Sequence, residues 1–447
     1  LKVMIIGAGA VGSQLADQLS RENHDVVVIE KDKERLRKLQ DELDILVIEG
    51  NGASPKVLRE AGIERCDLLM ALTNSDEINL VSSLTASQHK VPFKIARVSN
   101  MDYYLLDNWL SENNLGVDLL INPEFECALQ ISNLLRVPGA TDVAEFGNGQ
   151  AWLTGLHVVE NAPCIGETLQ DLRLRYERDD FLVGAITRQG RTIIPTGQTR
   201  LEAGDKIFAI CLKDHLDQIY QFSGLKRKKI RRVMILGGSK VAVYLCKMLE
   251  RQKIRAVLIE KDEEIAQQLA EDLDNTLVIH GEPNNTELWE MEGLEETDAF
   301  LPLTKDDEEN LLTGLIARNN GISIVIALLE KLAYVPLVHK VGVSTAVSSR
   351  LAIVDTILKY VRRGNILSLA TLKGNDAEII EFLATDQCRI LDTPLKDLKL
   401  PRETLFGVIS RGMESFIPTG HSQIKKGDKV VVIAGPYSKN RVESLFA

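Results

Sequence analysis

At 447 residues the chain is longer than a single hydrophobic core supports, and at about 100–200 residues per domain it should hold three or four. Its 45% hydrophobic and 26% charged residues are ordinary for a folded protein and exclude a largely disordered one. The formal charge of −11 argues against nucleic acid as a partner, because affinity for phosphate backbones comes mainly from Lys and Arg.

In chain order, Val3 to Ile6 reads as a buried strand, followed by Gly7-Ala8-Gly9-Ala10-Val11-Gly12 and a helix carrying Leu15 and Leu19. Val26 to Ile29 is a second strand, and Leu36, Leu39 and Leu43 recur at helical spacing after it. Ile45 to Ile48, Leu68 to Leu72 and Ile95 to Val98 supply further short strands, so this region alternates β and α and predicts a parallel sheet with helices on both faces. Beyond it the pattern changes. Leu169 to Leu172 reads as a short helix, then Leu182 to Ile186, Thr192 to Ile194 and Lys206 to Cys211 as strands separated by Gln189-Gly190 and Ala203-Gly204-Asp205 turns, which makes a small α+β domain. A basic run, Lys226 to Arg232, follows and reads as a solvated connector.

The whole arrangement then repeats. Gly7, Val11, Leu15 and Leu19 return as Gly237, Val241, Leu245 and Leu249, and Glu30-Lys31-Asp32 as Glu260-Lys261-Asp262, at one constant offset. Leu72-Thr73, Asp76-Glu77 and Asn79 return as Leu303-Thr304, Asp307-Glu308 and Asn310 after a one-residue insertion. Arg188, Pro195-Thr196-Gly197 and Gly204-Asp205-Lys206 are answered by Arg411, Pro418-Thr419-Gly420 and Gly427-Asp428-Lys429. The expected fold class is therefore α/β: two Rossmann-type doubly wound parallel sheets, each followed by a small α+β domain. The expected boundaries are 1–140 (N1), 141–222 (C1), a linker at 223–231, 232–364 (N2) and 365–447 (C2), placed at turn-forming segments such as Val137-Pro138-Gly139, Ser223-Gly224 and Arg363-Gly364-Asn365.

In N1 the GxGxxG sequence follows a strand and opens a helix, and the acid Glu30 ends the second strand, the context in which this motif binds a dinucleotide. Gly7 permits the tight turn, Gly9 lets the backbone approach a pyrophosphate, Gly12 allows close helix packing, and the helix N-terminus offers N–H groups to the anion. Glu30 can accept from ribose hydroxyls and repels a 2′-phosphate, which favours NAD(H) over NADP(H) and also suits other adenine nucleotides. Asn51, Thr73 and Asn74 stand after strands, as ligand contacts or as turn and cap residues. Arg97 reads as a phosphate ligand or as half of an interdomain salt bridge.

N2 departs from the motif. Gly237-Gly238-Ser239-Lys240-Val241-Ala242 keeps the first glycine, places Ser239 and Ala242 at the second and third, and has Leu328 where N1 has Arg97. Glu260 survives and Lys240 can substitute electrostatically, so N2 is expected to bind with altered preference or affinity.

These residues, with Ala96-Arg97 and the paired Pro-Thr-Gly and Gly-Asp-Lys turns, give the chain a resemblance over its whole length to the TrkA family of regulators of bacterial Trk potassium uptake. That family is built from two RCK (or KTN) units, and the resemblance makes C1 and C2 RCK C-type domains. It implies a homo-oligomeric, tetrameric ring at the cytoplasmic face of the inner membrane, attached only through a membrane potassium-translocating subunit and responding to NAD(H) and, as in related regulators, to ATP/ADP. It implies ligand contacts at Gly7, Ala8, Gly9, Ala10, Val11, Gly12, Glu30, Asn51, Thr73, Asn74 and Arg97 in N1. In N2 the corresponding positions are Gly237, Gly238, Ser239, Lys240, Val241 and Glu260.

The rival reading is an NAD-dependent oxidoreductase acting on a small substrate. It needs an acid/base at the hydride-transfer carbon, yet the seven histidines show no catalytic pairing and neither small domain has the size of a usual substrate domain. Six scattered cysteines with no CxxC pair suggest neither a metal site nor a disulfide scaffold, and fit a reducing compartment. No secretory signal pattern opens the sequence, and apolar stretches such as Ile322 to Leu329 fall short of the ~20 residues that span a bilayer. A regulator, not an enzyme, is the expectation.

Overall fold

The structure is a computed structural model and describes residues 1–100, 102–105, 116–147, 149–176, 181–331, 333–334, 338, 343–361, 366–371, 377–435 and 437–446. The expected boundary between residues 364 and 365 lies outside them. The chain divides into two compact units: Leu1–Leu129 with Lys240–Leu245 and Val347–Ile357, and the remainder.

The first sheet comprises β1 (Lys2–Ile6), β2 (Asp25–Glu30), β3 (Leu46–Glu49), β4 (Leu68–Ala71), β5 (Phe93–Arg97) and β6 (Leu119–Ile121). Its order is β3-β2-β1-β4-β5-β6, and its described pairings are parallel. Helices α1 (Ala10–Arg21), α2 (Lys33–Glu42), α3 (Pro55–Glu60), α4 (Asp76–Gln88), α5 (Asp102–Leu105) and α6 (Pro123–Arg136) connect and follow the strands. This is the doubly wound order, in which the chain reverses between β1 and β4 and opens a crevice at their carboxyl ends. Met4, Ile6, Ile29, Leu69 and Ala71 form a fully buried strand layer, consistent with the unbroken apolar runs of a sheet covered on both faces.

A five-stranded sheet follows, in the order β10-β9-β11-β8-β7. Its strands are β7 (Asp142–Phe146), β8 (Ala151–His157), β9 (Phe181–Arg188), β10 (Arg191–Ile193) and β11 (Lys206–Leu212), with α7 (Leu169–Tyr176) and α8 (Leu216–Ser223). The described pairings are antiparallel, as the turn-rich sequence predicts, but β7 and β8 are two strands that the hydrophobic pattern does not announce.

The second half reproduces both sheets. Strands β12 (Arg232–Leu236), β13 (Arg255–Glu260), β14 (Thr276–His280), β15 (Ala299–Pro302), β16 (Ile324–Leu328) and β17 (Thr345–Val347) take the order β14-β13-β12-β15-β16-β17. Their helices are α9 (Lys240–Arg251), α10 (Glu263–Asp272), α11 (Thr286–Met291), α12 (Asp307–Asn319) and α13 (Ser349–Val361). Strands β18 (Ile366–Thr371), β19 (Glu378–Leu383), β20 (Thr404–Arg411), β21 (Glu414–Phe416) and β22 (Lys429–Ala434) form the last sheet, in the order β18-β19-β22-β20-β21, and α14 (Lys439–Phe446) closes the described chain.

The two antiparallel sheets share a core in which Phe146, Leu153, Phe208 and Ile210 pack with Ile379, Val408, Val431 and Ile433. Two glycines fix this contact reciprocally. A Cβ on Gly184 would sit 3.0 Å from the Ile433 side chain, and one on Gly407 would sit 2.6 Å from Ile210. Gly184 and Gly407, like Ile210 and Ile433, are equivalent positions of the repeat, so each sheet buries an isoleucine against the other's glycine. Among the described residues no helix is long and apolar enough to cross a membrane.

Candidate functional site

The switch point of the first sheet holds a cleft of about 260 Å³, lined by Gly7, Gly9, Glu30, Asn51, Thr73 and Asn74 among others. Five expected residues besides Glu30 thus meet in one place, brought together by strands β1 to β4 ending on the same side. The enclosed volume is just under the ~300–1,000 Å³ usual for small-molecule clefts.

The glycines divide as the motif requires. Gly7 has φ +102°, a left-handed conformation open to glycine, and a Cβ on Gly12 would lie 1.9 Å from the Gly7 carbonyl oxygen. A Cβ on Gly9 meets no protein atom within 4 Å, so this position is held open toward the cleft and not packed. Helix α1 has Gly9 at its N-cap, with no side-chain cap and no acid in its first turn, whereas Asp32 caps α2 and Ser75 caps α4. Uncapped N–H groups beside an open glycine suit a phosphate.

Glu30 is buried, and its carboxylate organises this loop. Oε2 accepts from the Ala8 backbone N–H at 2.6 Å, and Oε1 from Lys31 and Asp32 at 2.8 and 3.1 Å. An ionised carboxylate has about four acceptor positions, so one remains open to a further donor. Sequence reasoning saw only the second task. It also passed over Lys31 and Arg35, which line the cleft; Arg35 Nε lies 3.8 Å from Asp32. A cation one turn into the second helix is the signal that was available.

Asn51 forms an Asx turn, its Oδ1 accepting from Ala53 N at 3.0 Å. Thr73 is tied to Asn79, a fully buried residue absent from the expected site: Asn79 Oδ1 accepts from Thr73 N and Oγ1 at 2.9 and 2.7 Å, while Nδ2 donates to the carbonyls of Thr73 and Arg97 at 3.0 and 2.8 Å. Asn79 thereby knots the ends of β4 and β5. Arg97 does not line the cleft; its Nη1 donates to Asn74 Oδ1 at 3.0 Å and its Nη2 lies 3.9 Å from Glu124, so it steadies Asn74 from behind. Ala8, Ala10 and Val11 complete the loop and the first turn of α1.

The second copy preserves the scaffold. Glu260 accepts from Gly238 N, and through Oε1 from Asp262 N at 2.9 Å. Asn310 repeats the knot, with Thr304 N and Oγ1 donating to it at 3.0 and 2.9 Å and its Nδ2 reaching Leu328 O at 2.9 Å. Gly237 again has positive φ, +87°. The cleft-facing chemistry differs. Arg35, Asn51 and Asn74 are replaced by Ile265, Glu282 and Lys305, in addition to Ser239 in place of Gly9; behind the cleft, Leu328 stands where the first copy has Arg97. Lys240, expected to face an anion, has its Nζ 3.4 Å from the Ser99 carbonyl oxygen, and Val241 is buried in α9.

The six cysteines are buried free thiols; burial pushes Cys66 up to about 11 and Cys211 up to about 12, so these two carry no thiolate at neutral pH. Among the described residues no group of His, Cys, Asp and Glu could hold a metal ion.

The family model for the TrkA-N domain matches residues 3–123 and 233–349, and that for the TrkA-C domain matches 153–224 and 379–447. The chain belongs to the TrkA family. A TrkA homologue of Methanosarcina mazei is 35% identical over 100% of both chains, and the Trk system potassium uptake protein TrkA of Halomonas elongata is 35% identical over 100% of this chain and 98% of its own. Among solved structures, the GsuK RCK domain shares the fold at a TM-score of 0.61 and 16% identity, covering 100% of this chain and 94% of that one. A structure described as the GsuK channel bound to NAD matches at 0.61 and 16%, covering 100% and 78%. Two TrkA-N domains, each followed by a TrkA-C domain, account for the duplicated order of parallel and antiparallel sheets.

Proposed function

We propose that this protein is a non-enzymatic, nucleotide-responsive regulator of Trk-type potassium uptake, acting on a membrane potassium-translocating subunit from the cytoplasmic face of the inner membrane as a tetrameric ring. The observation that carries the reading is the N1 cleft: an open Gly9 and an uncapped helix N-terminus facing a glutamate-organised loop, in a chain whose full-length relatives are named Trk potassium uptake proteins. NAD(H) is the first ligand, as the fold neighbour bound to NAD suggests. ATP and ADP share its adenosine half and should compete for the same cleft; a further GsuK neighbour, at a TM-score of 0.51 and 13% identity over 81% of this chain and 69% of that one, is described as bound to ADP.

In this reading the N–H groups of Gly9 to Val11 hold the pyrophosphate, Glu30 orients the ribose and excludes a 2′-phosphate, and Asn51, Thr73 and Asn74 close over the base. A ligand that binds two arrangements of the ring unequally shifts their populations by its difference in affinity, and about 1–3 kcal/mol of coupling gives roughly 5–150-fold control. No hydride transfer is required. Calorimetric titration with NADH, followed by absorbance in the presence of candidate carbonyl substrates, tests the proposal. Saturable binding with no consumption of NADH is expected; steady NADH oxidation would establish the oxidoreductase reading instead.

A further inference from the structure

The basic run is a solvated connector, with Lys226 to Lys229 and Arg231 exposed, but it is also fixed in place. Residues 225–231 pass without helix or strand from α8 to β12, and their path is pinned: Ile230 is buried, and Asp298 accepts from the backbone N–H of Arg231 and Arg232 at 2.8 and 3.2 Å and pairs with Lys228 Nζ at 2.9 Å. Burial opposes the charge on Asp298, but Lys228 and these two N–H groups outweigh it and hold the carboxyl below its ordinary range. The fixed linker forms one wall of an open cleft of about 1,160 Å³, whose other walls come from the end of α6 and the turn between α9 and β13. Eight Lys and Arg side chains line it against three carboxylates, in a chain whose net charge is −11. Arg227, Lys228 and Arg232 are paired with Asp217, Asp298 and Glu296; no such partner is described for Lys229, Arg231, Lys253 or Arg255.

The duplication shows that the fold does not demand these cations. At the same topological edge of the first copy, Lys2 faces Asp25 across the parallel strands β1 and β2, with 4.0 Å between charged atoms. In the second copy Arg232 faces Arg255 across β12 and β13, a like-charge pair where the sister copy has an ion pair. Lys253 occupies the left-handed position after its helix, φ +59°, where the first copy has Asn23, φ +61°, a residue better suited to that conformation. Both substitutions add positive charge to one concave surface, and the facing arginines Arg232 and Arg255 set like charges where the first copy has opposite ones.

We infer that this cleft binds a small, multiply charged phosphate anion. Its concavity focuses the field of the cations on a compact solute better than on a flat bilayer surface. The chemistry recognised is a run of phosphoryl oxygens, as in inorganic polyphosphate or the tail of a nucleoside polyphosphate, and occupancy would clamp the linker to the entry edge of N2. This site is separate from the nucleotide cleft of N1 and does not depend on it.

The test is calorimetric titration of the full chain with inorganic tripolyphosphate. The comparison variant is Lys253→Asn with Arg255→Asp, which installs the first copy's residues, restores the cross-strand ion pair and so keeps the fold. The unaltered chain should bind, with affinity that falls as salt rises, and the variant about tenfold or more weaker, since each lost charge-assisted hydrogen bond is worth at least a factor of ten. Unaltered binding in the variant overturns the inference. So does loss of binding in Gly9→Asp with full binding in Lys253→Asn/Arg255→Asp, which would place the anion in N1. Capture by phosphatidylglycerol vesicles without tripolyphosphate binding would assign the cations to a lipid surface and overturn it as well.

Discussion

The carboxylate of Glu30 accepts backbone N–H groups from both sides of the strand–helix turn, Ala8 before α1 and Lys31 with Asp32 after β2, and so couples the shape of the phosphate loop to the end of the second strand. The neighbouring glycines then predict separable phenotypes. Gly9→Ala should fold with unchanged Tm, because its Cβ meets nothing, yet bind nucleotide more weakly. Gly12→Ala should destabilise the fold by the overpacking cost of about 1–3 kcal/mol and so lower Tm, because its Cβ would lie 1.9 Å from the Gly7 oxygen. Thermal melts of the two variants beside NADH titrations check both statements. Asn79→Ala should cost about 3 kcal/mol in denaturant unfolding, since buried backbone groups of Thr73 and Arg97 lose their partner. The glycines were legible in the sequence because their spacing is the geometry. Asn79 was not: a polar residue in a helix declares no partner until β4 and β5 are known to end side by side. For Arg97, likewise, both readings looked outward, and its partners are Asn74 and Glu124, 23 residues before it and 27 after.

At the scale of elements, the repeated Arg and Gly-Asp-Lys signatures of the small domains are forks. Arg188 donates through Nε and Nη2 to the two oxygens of buried Asp205 at 2.8 and 2.7 Å, and Arg411 does the same to Asp428 at 2.8 Å for both. Each fork ties the end of a long strand (β9, β20) to the turn that opens its neighbour in the sheet (β11, β22). Asp205→Ala should destabilise the chain by about 3 kcal/mol, measured by urea unfolding, because it removes the buried acceptor of both the Arg188 guanidinium and the Glu202 N–H, although Arg188 keeps Glu202 and the Arg200 carbonyl. The sequence revealed the repeat of these residues but not their pairing, which spans 17 positions. It also missed β7, whose polar alternation is weak, and β8, interrupted by Gly155. Between the two antiparallel sheets, Glu381 accepts from Gly147 N at 2.7 Å, and burial raises its carboxyl above the ordinary range. A raised folded value contributes stability that is fully present below the ordinary carboxylate range and is lost as pH rises through the raised value. Thermal unfolding at pH 5 and pH 8 should therefore show an acid-side gain in stability that shrinks in Glu381→Gln.

For the whole molecule, duplication supplied two equivalent scaffolds and substitution made them unequal. The acid, the asparagine knot and the first glycine recur in N1 and N2, because each serves the loop and the strand ends whatever the ligand. The positions that differ are those that face outward: Arg35 and Ile265, Asn51 and Glu282, Asn74 and Lys305, Gly9 and Ser239. The same divergence appears at the opposite edge, where Asp25 in one copy is Arg255 in the other. Fold and duplication were readable because hydrophobic period and motif spacing are local. The division of labour between copies was only half readable, since which side chains face a cleft depends on the three-dimensional meeting of loops far apart in sequence.

In the proposed function N1 is the nucleotide switch. The decisive measurement is NADH binding to the full chain, with nucleotide-dependent potassium uptake in cells, for Gly9→Asp and for Ser239→Asp. Gly9→Asp places a carboxylate in open space beside the helix N-terminus, so the fold should persist while NADH binding and nucleotide control of uptake are both lost; Ser239→Asp should leave both in place. NADH binding and uptake control that survive Gly9→Asp would show that N1 is not the switch.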